Sequence, residues 1–285
     1  MKRFDLLFFN IAAKHWTFLR EVYIALSSCL FFVIQNSFIF LEGVKRGIES
    51  SLWQQGIDSW DAFLAKGRIK GLSAQRKSYF DRRIMEARKA LYNSDSGYFK
   101  SILPSSEYYR LYDFFKEEAV FLDIETTGLD HRRNDITVIG LFDGISTKTM
   151  IKNINLDYDA LRNELKDYKM IVTFNGSSFD VPFINKKYPD TLPNVPNFDV
   201  KVAASRIGLK GGLKEIERKL SISRGDLVSR LCGGDAITLW KMYKATGDEH
   251  YLNLLVEYNE EDIINLKKIA EHCVGRLRET LIPKL

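Results

Sequence analysis

The sequence predicts an α/β domain, with a mixed sheet flanked by helices, preceded by a smaller all-helical domain. The hydrophobic pattern changes near residue 119. Before it, apolar residues recur every three or four positions, and after it, short strand-like runs alternate with helical stretches. The 285 residues are 45% hydrophobic and 28% charged, a globular composition with enough material for one large or two modest domains.

Residues 1–36 form an apolar segment for which several interpretations remain open. Residues 22–41 carry no formal charge and have the length of a membrane span, although several of them are polar. The strongly apolar part, residues 22–34, has the length of a buried helix or of a signal-peptide core. A membrane-associated N-terminus, a buried helix and a misassigned start all fit this segment. Three widely spaced cysteines form no disulfide framework, so we expect a reducing, cytoplasmic location.

Residues 37–105 are expected to form the helical domain, and its first part resembles a helix-hairpin-helix module. In FLEGVKRGIESSLWQQGIDSWDAFL, apolar residues follow a helical period, and Gly43, Gly47 and Gly56 fall where turns are expected. Such a module presents backbone N–H groups at a helix N-terminus to a phosphate. Lys45 stands where the usual hairpin has a glycine, and it could supply charge instead. The alternative is a structural helical cap without a nucleic-acid contact.

A basic segment follows the hairpin-like stretch. Residues 66–89 contain nine basic and two acidic residues, which indicates a polyanionic partner or, equally, a solvated helix face. Ser73 is the expected N-cap of a long helix whose apolar stripe recurs with a helical period. Candidate phosphate contacts on this helix are Arg76, Lys77 and Arg83. Residues 104–118 predict a short amphipathic connector helix that ends the domain.

Residues 118–280 are expected to form the α/β domain. AVFLDI predicts a strand, and ITVIGLFD and STKTMIKN predict a hairpin around Asp143-Gly144. YDALRNELKDY predicts a helix, MIVTFN a strand, VPFINKKY a helix and NFDV a short strand. Helices dominate after residue 201.

Acidic residues recur at the ends of these elements. Asp123 and Glu125 are two apart in a strand, so their side chains share a face, and like charges that close need a basic partner, exposure or a metal ion. Asp180 precedes Val181-Pro182, which by itself favours a helix N-cap. In VEYNEEDIINLKKI, Tyr258 and Asp262 are four apart and share one face of an amphipathic helix.

The order of these motifs resembles that of the DEDD exonucleases. The chain resembles their tyrosine subclass in three stretches: LDIETTGL, TFNGSSFDVPFI and the Tyr-x-x-x-Asp spacing of EYNEEDIINL. The resemblance extends to the YprB-like ribonuclease-H-like family through FDVKVAASR and LKEIE. The resemblance covers roughly residues 37–272 and implies a ribonuclease-H-like fold with two divalent cations, Mg²⁺ or Mn²⁺, about 4 Å apart.

The same resemblance implies a role for each site residue. Asp123 would bridge both metals, Glu125 and Asp262 would complete one site, and Asp180 would help hold the other. Tyr258 would orient or help deprotonate the attacking water. The expected contacts to the terminal nucleotide are Thr126, Thr127, Gly128 and Asn175.

The leading interpretation is a 3′→5′ exonuclease acting on single-stranded ends of DNA or RNA. The alternatives are a nucleic-acid-binding module that has lost turnover and a membrane-tethered nuclease. A module without turnover would usually lack one of the four acids, and all four are present.

Overall fold

The computed structural model describes residues 33–281 except residues 227, 229, 230 and 232. The interpretations offered for residues 1–32 therefore lie outside the described residues. Within the part of the chain that is described, no helix combines the length and the apolar character needed to cross a membrane.

The N-terminal part of the described chain is helical, as predicted. It begins with a 3₁₀ turn, Val33–Asn36. Four helices follow: α1 (Arg46–Gln54), α2 (Trp60–Ala65), α3 (Ala74–Tyr92) and α4 (Ser96–Ile102). Ser73 caps α3, since its hydroxyl accepts a hydrogen bond from the Arg76 N–H at 3.2 Å. Gly43 and Gly56 lie in turns with positive φ, as expected. The turn predicted at Gly47 is wrong, because this glycine lies in the first turn of α1, where helix geometry tolerates it.

The connector between the helical and α/β regions is not the single amphipathic helix that its sequence predicts. It consists of a 3₁₀ turn, a short helix and a second 3₁₀ turn: Ser105–Leu111, α5 (Tyr112–Phe115) and Lys116–Glu118. The reason is packing, because residues 107–112 are all buried and leave no exposed helix face.

The α/β region is built on a five-stranded mixed sheet of order β3-β2-β1-β4-β5. The strands are β1 (Ala119–Thr126), β2 (Ile136–Phe142), β3 (Thr147–Ile151), β4 (Met170–Thr173) and β5 (Asn197–Asp199). β1, β2 and β3 pair antiparallel, and β4 and β5 run parallel to β1. The hairpin predicted around Gly144 is confirmed, and this residue has φ of 99°.

Six helices of the described chain accompany the sheet. They are α6 (Tyr158–Leu165), α7 (Asp180–Lys187), α8 (Val200–Arg206), α9 (Leu213–Lys219), α10 (Gly233–Thr246) and α11 (Glu249–Leu281). One sheet face buries Leu122 and Ile124 against Phe183 of α7. The other face contributes Phe121 to a cluster that also contains Ile263 of α11 and the core of the N-terminal helices. The helical region and the sheet therefore share one hydrophobic core.

A buried group of charges also links the two regions. The fully buried Arg110 guanidinium contacts Glu49 at 2.9 Å and Glu107 at 2.7 Å. Arg206 of α8 reaches Glu107 at 3.2 Å. Because an unpaired buried charge is costly, these contacts hold the helices against the α/β region.

Candidate metal centre

The centre begins at the carboxyl half of β1. Asp123 and Glu125 point to the sheet face that Phe121 uses for the core, as their spacing predicts. Ile124, between them, points to the opposite core. The alternation of the strand thus places two carboxylates side by side at the end of a buried face.

Helix α11 brings the next side chains. Tyr258 and Asp262 lie one helical turn apart and are both buried against the sheet. One carboxylate oxygen each from Asp123, Glu125 and Asp262 lies within 4.8 Å of the other two. The structure therefore brings together three acids that are far apart in the sequence.

Asp180 of α7 contacts the same strand. It is the first residue of α7, and its carboxylate accepts a hydrogen bond from the Ile124 N–H at 3.2 Å. The N-cap interpretation is wrong, because Phe179 occupies the cap position and the carboxylate turns toward β1. The preceding loop is held by Asp199, which accepts from the N–H groups of Asn175 at 2.9 Å and Ser177 at 3.2 Å.

Burial and mutual repulsion dominate the electrostatics of this group. Burial, followed by the charges of the neighbouring acids, raises the pKa of Asp123 and of Glu125 well above their usual range. Burial raises the pKa of Asp180 to about 7, and it raises the pKa of Asp262 to about 6 against the opposing effect of Arg224. The arrangement fits a divalent cation, since converging carboxylate oxygens are the donors that Mg²⁺ and Mn²⁺ prefer, and a cation would offset the repulsion.

Two groups of contacts near the acids were missed from the sequence. The Asn259 amide donates to Asp123 at 2.9 Å. The Arg224 guanidinium binds Glu217 through two nitrogens, at 2.7 and 2.8 Å, and also donates to Asp262. Asn259 lies inside the quoted motif YNEED, so its position next to Tyr258 was the available signal. Arg224 lies outside every motif, so no local signal marked it.

The predicted nucleotide contacts at the end of β1 shape a turn. Thr126 donates through its hydroxyl to the Gly128 carbonyl at 2.8 Å, and the Thr127 N–H donates to the Asp135 carbonyl. A side chain on Gly128 would come within 2.6 Å of Asn134, so this position needs glycine. Leu129, the next residue, has an 82% exposed side chain. Across the sheet, the Asn175 side-chain oxygen accepts from Lys201 at 3.2 Å.

The predicted basic contacts lie on the helical region, and their polar partners belong to that region. Lys77 is buried and paired with Asp81 at 2.6 Å, so its ammonium is already bound within α3. Arg76 donates to the Glu42 carbonyl at 3.1 Å. Lys45 is exposed at the start of α1.

Arg83 pairs with Glu86 on the same helix. Of the predicted phosphate contacts, Lys77 is therefore buried, whereas Lys45, Arg76 and Arg83 are exposed or partly exposed.

A family model described as the RNase_H superfamily matches residues 120–274, a little more than half of the chain. The chain belongs to the RNase_H superfamily. The matched segment runs from the second residue of β1 through the rest of the sheet to the acid-bearing part of α11. A search of curated protein sequences gives no match.

Solved structures with partial similarity to this RNase_H superfamily member include three proteins. The first is a nuclease in its apo form, 21% identical, with a TM-score of 0.44 over 57% of this chain and 75% of that one. The second is the family B DNA polymerase from the hyperthermophilic archaeon Pyrobaculum calidifontis, 14% identical, with a TM-score of 0.45 over 56% of this chain and 25% of the polymerase. The third is Brucella melitensis NrnC bound to pGG, 21% identical, with a TM-score of 0.41 over 60% of this chain and 78% of NrnC.

Proposed function

We propose that this chain is a metal-dependent nuclease, a 3′→5′ exonuclease that acts on single-stranded ends of DNA or RNA with two divalent cations, Mg²⁺ or Mn²⁺. The observation that carries the proposal is the meeting of three carboxylate oxygens within 4.8 Å on a largely buried face. Membership of the RNase_H superfamily supports it. We assign the chain to the tyrosine subclass of DEDD exonucleases and to the YprB-like family, and we place it in the cytoplasm.

Four acids would hold the cations. Asp123, Glu125 and Asp262 converge, and the Asp180 carboxylate accepts a hydrogen bond from the backbone N–H of Ile124, the residue between Asp123 and Glu125. When bound, two divalent cations lower the pKa of a water and offset charge that develops on a phosphoryl group. The chain contributes the fixed positions of the carboxylates, since β1 and α11 are both packed in the core.

Tyr258 is proposed to orient the attacking water rather than to deprotonate it. Burial raises the pKa of its hydroxyl, and the charges of Asp262, Glu125 and Asp123 raise it further. The hydroxyl therefore stays protonated near neutral pH, so it can donate a hydrogen bond but is a poor base.

The turn after β1 is proposed to receive the terminal nucleotide. The Leu129 side chain, four residues after Glu125, is 82% exposed and offers an apolar surface. Nucleobases present apolar faces that pack on such side chains, whereas the neighbouring phosphate would face the cations.

The test uses oligonucleotides labelled at one end. Purified protein is incubated with single- and double-stranded DNA and RNA in Mg²⁺ or Mn²⁺, and with excess EDTA. We expect stepwise shortening from the 3′ end that stops in EDTA. Asp123→Asn should abolish it, whereas Asp159→Asn, the same change at an exposed position of α6, should not. Full cleavage in EDTA, or an active Asp123→Asn protein, contradicts the proposal.

A further inference from the structure

The side chain of Asn259 is completely buried between α11 and the sheet. Its amide nitrogen lies 2.9 Å from Asp123 Oδ2, and its relative exposure is 0%. The Asn259 NH₂ group donates this hydrogen bond, and an Asp123 carboxylate that holds a cation is ionised and can only accept. The Asn259 oxygen has no hydrogen-bond partner, which leaves donation to Asp123 as the polar contact of this side chain among the described residues.

Gly140 creates the space for this amide. It is the residue of β2 directly opposite Asp123, and a Cβ built on it would lie 2.0 Å from Asn259 Oδ1. The next nearest side chain, Ile263, would be 3.2 Å away at the end of a flexible group. Any side chain at position 140 and the observed position of Asn259 are therefore mutually exclusive.

The location of Asn259 gives the contact a second consequence. It follows Tyr258 directly and lies three residues before Asp262, so one hydrogen bond ties the acid-bearing turn of α11 to the acid-bearing half of β1. The contact thereby restrains both the rotation of the Asp123 carboxylate and the separation of Asp123 from Asp262.

We propose that Asn259, seated over Gly140, is a positioning residue for the metal centre. It holds Oδ2 of Asp123 and leaves the other oxygen oriented for a cation. The inference rests on the metal-binding part of the proposed function and is independent of the reaction. Hydrogen-bond partners of metal ligands usually contribute 10–100-fold to metal affinity or activity, because they fix ligand orientation.

The experiment measures Mn²⁺ affinity by titration calorimetry without nucleic acid. Asn259→Ala should weaken Mn²⁺ binding by about 10–100-fold. Gly140→Ala should weaken it comparably, although it removes no polar group, because the new methyl group displaces the amide. Asn253→Ala, the same change at an exposed position of α11, is the matched control and should bind Mn²⁺ as the wild type does.

The double variant separates positioning from general damage. Once Asn259 is truncated, the methyl group of Gly140→Ala meets no amide, so the double variant should bind Mn²⁺ no more weakly than Asn259→Ala alone. A melting curve in EDTA reports folding for each variant. If Asn259→Ala does not fold, Gly140→Ala alone decides the question.

The outcomes are distinguishable. A folded Asn259→Ala or Gly140→Ala protein with wild-type Mn²⁺ affinity overturns the inference. A wild-type protein that binds no Mn²⁺ overturns both the inference and the proposed function. A wild-type protein that binds Mn²⁺ tightly, loses affinity in the variants and cleaves no nucleic acid supports the inference and overturns the proposed function alone.

Discussion

Tyr258 shows how much one side chain can depend on its surroundings. Lys214 Nζ lies 4.7 Å and Arg224 Cζ 5.8 Å from the centre of its ring. The hydroxyl interacts with the charges of Asp262 and Glu125, which oppose its ionisation. The ring is thus stabilised by cations, while the hydroxyl remains a donor beside the acids.

Removing only that hydroxyl tests its role. Tyr258→Phe keeps the ring and its two cation contacts, so melting temperature and Mn²⁺ affinity should stay near wild type. Turnover at saturating substrate should fall by about 10²-fold, the size expected when a positioned donor is removed. Tyr251→Phe, on the same helix and partly buried, is the control and should cleave normally. Unchanged turnover in Tyr258→Phe would assign the tyrosine to packing.

At the scale of single residues, the sequence predicts the direction of a side chain where that direction follows from the period of its own strand or helix. Asp123 and Glu125 share a strand face, and Tyr258 and Asp262 share a helix face, as their spacings require. The N-cap alternative for Asp180 is wrong because its carboxylate accepts from the Ile124 N–H, which is 56 positions away. No pattern within one element reports such a contact.

At the scale of elements, α9 and α11 are joined beside the centre by a buried ion pair. Glu217 of α9 binds the Arg224 guanidinium in a two-pronged contact and also accepts from Asn265 of α11 at 3.1 Å. The side chains of Glu217 and Arg224 are only 3% and 6% exposed. Arg224 in turn donates to Asp262, so this pair supports the helix that carries the acids.

Breaking this pair on one side should be costly. Arg224→Met leaves the Glu217 carboxylate buried without a counter-charge, with only the Asn265 amide as a partner, so the free energy of unfolding should fall by about 3–5 kcal/mol. In the double variant Arg224→Met/Glu217→Leu the buried pair is replaced by two apolar side chains, and most of that stability should be recovered. Urea unfolding in EDTA measures both. A double variant as unstable as the sum of the two single variants would show that the side chains act separately.

Elements with local signals were predicted well, and elements fixed by distant packing were not. The hairpin of β2 and β3 and the capped start of α3 follow from turn and cap residues. The connector at 105–118 forms short turns because residues 107–112 are all buried, and this burial depends on the sheet and α11.

At the scale of the whole molecule, the buried acids of the metal centre destabilise the metal-free folded protein when they are ionised. The raised pKa values of the four acids mean that near pH 5–6 the folded state binds more protons than the unfolded state. Stability then falls as pH rises through the raised pKa values and is greatest below them. A bound cation removes most of this penalty.

The expected result in EDTA is a melting temperature that decreases from pH 5 to pH 8. Saturating Mn²⁺ should raise the melting temperature more at pH 8 than at pH 5. Asp123→Asn should melt higher than wild type in EDTA at pH 8, since one buried charge is gone. Thermal melts in matched buffers measure all three. A metal-free melting temperature that does not change with pH contradicts the electrostatic account.

The basic face of the helical region is best tested by substitution, since deletion would expose the shared core. Neutralising the exposed Lys45, Lys70 and Arg76 as glutamines should flatten the dependence of oligonucleotide affinity on salt. For each phosphate that is no longer neutralised, the slope of log K against log salt should decrease by about 0.7–0.9. Lys166→Gln, just after α6, is the control. An unchanged slope in the triple variant would assign binding to the α/β region.

The shared core also has a consequence for how the chain is made. Ile34, Phe63 and Phe99 belong to the same cluster as Ile269 and Leu277 of α11. During synthesis the N-terminal helices leave the ribosome long before α11 exists, so their apolar sides have no final partner. Such nascent surfaces aggregate unless chaperones shield them. The helical region can therefore complete its packing only after α11 has been translated, and a ribosome that stalls before α11 would display an unfinished core.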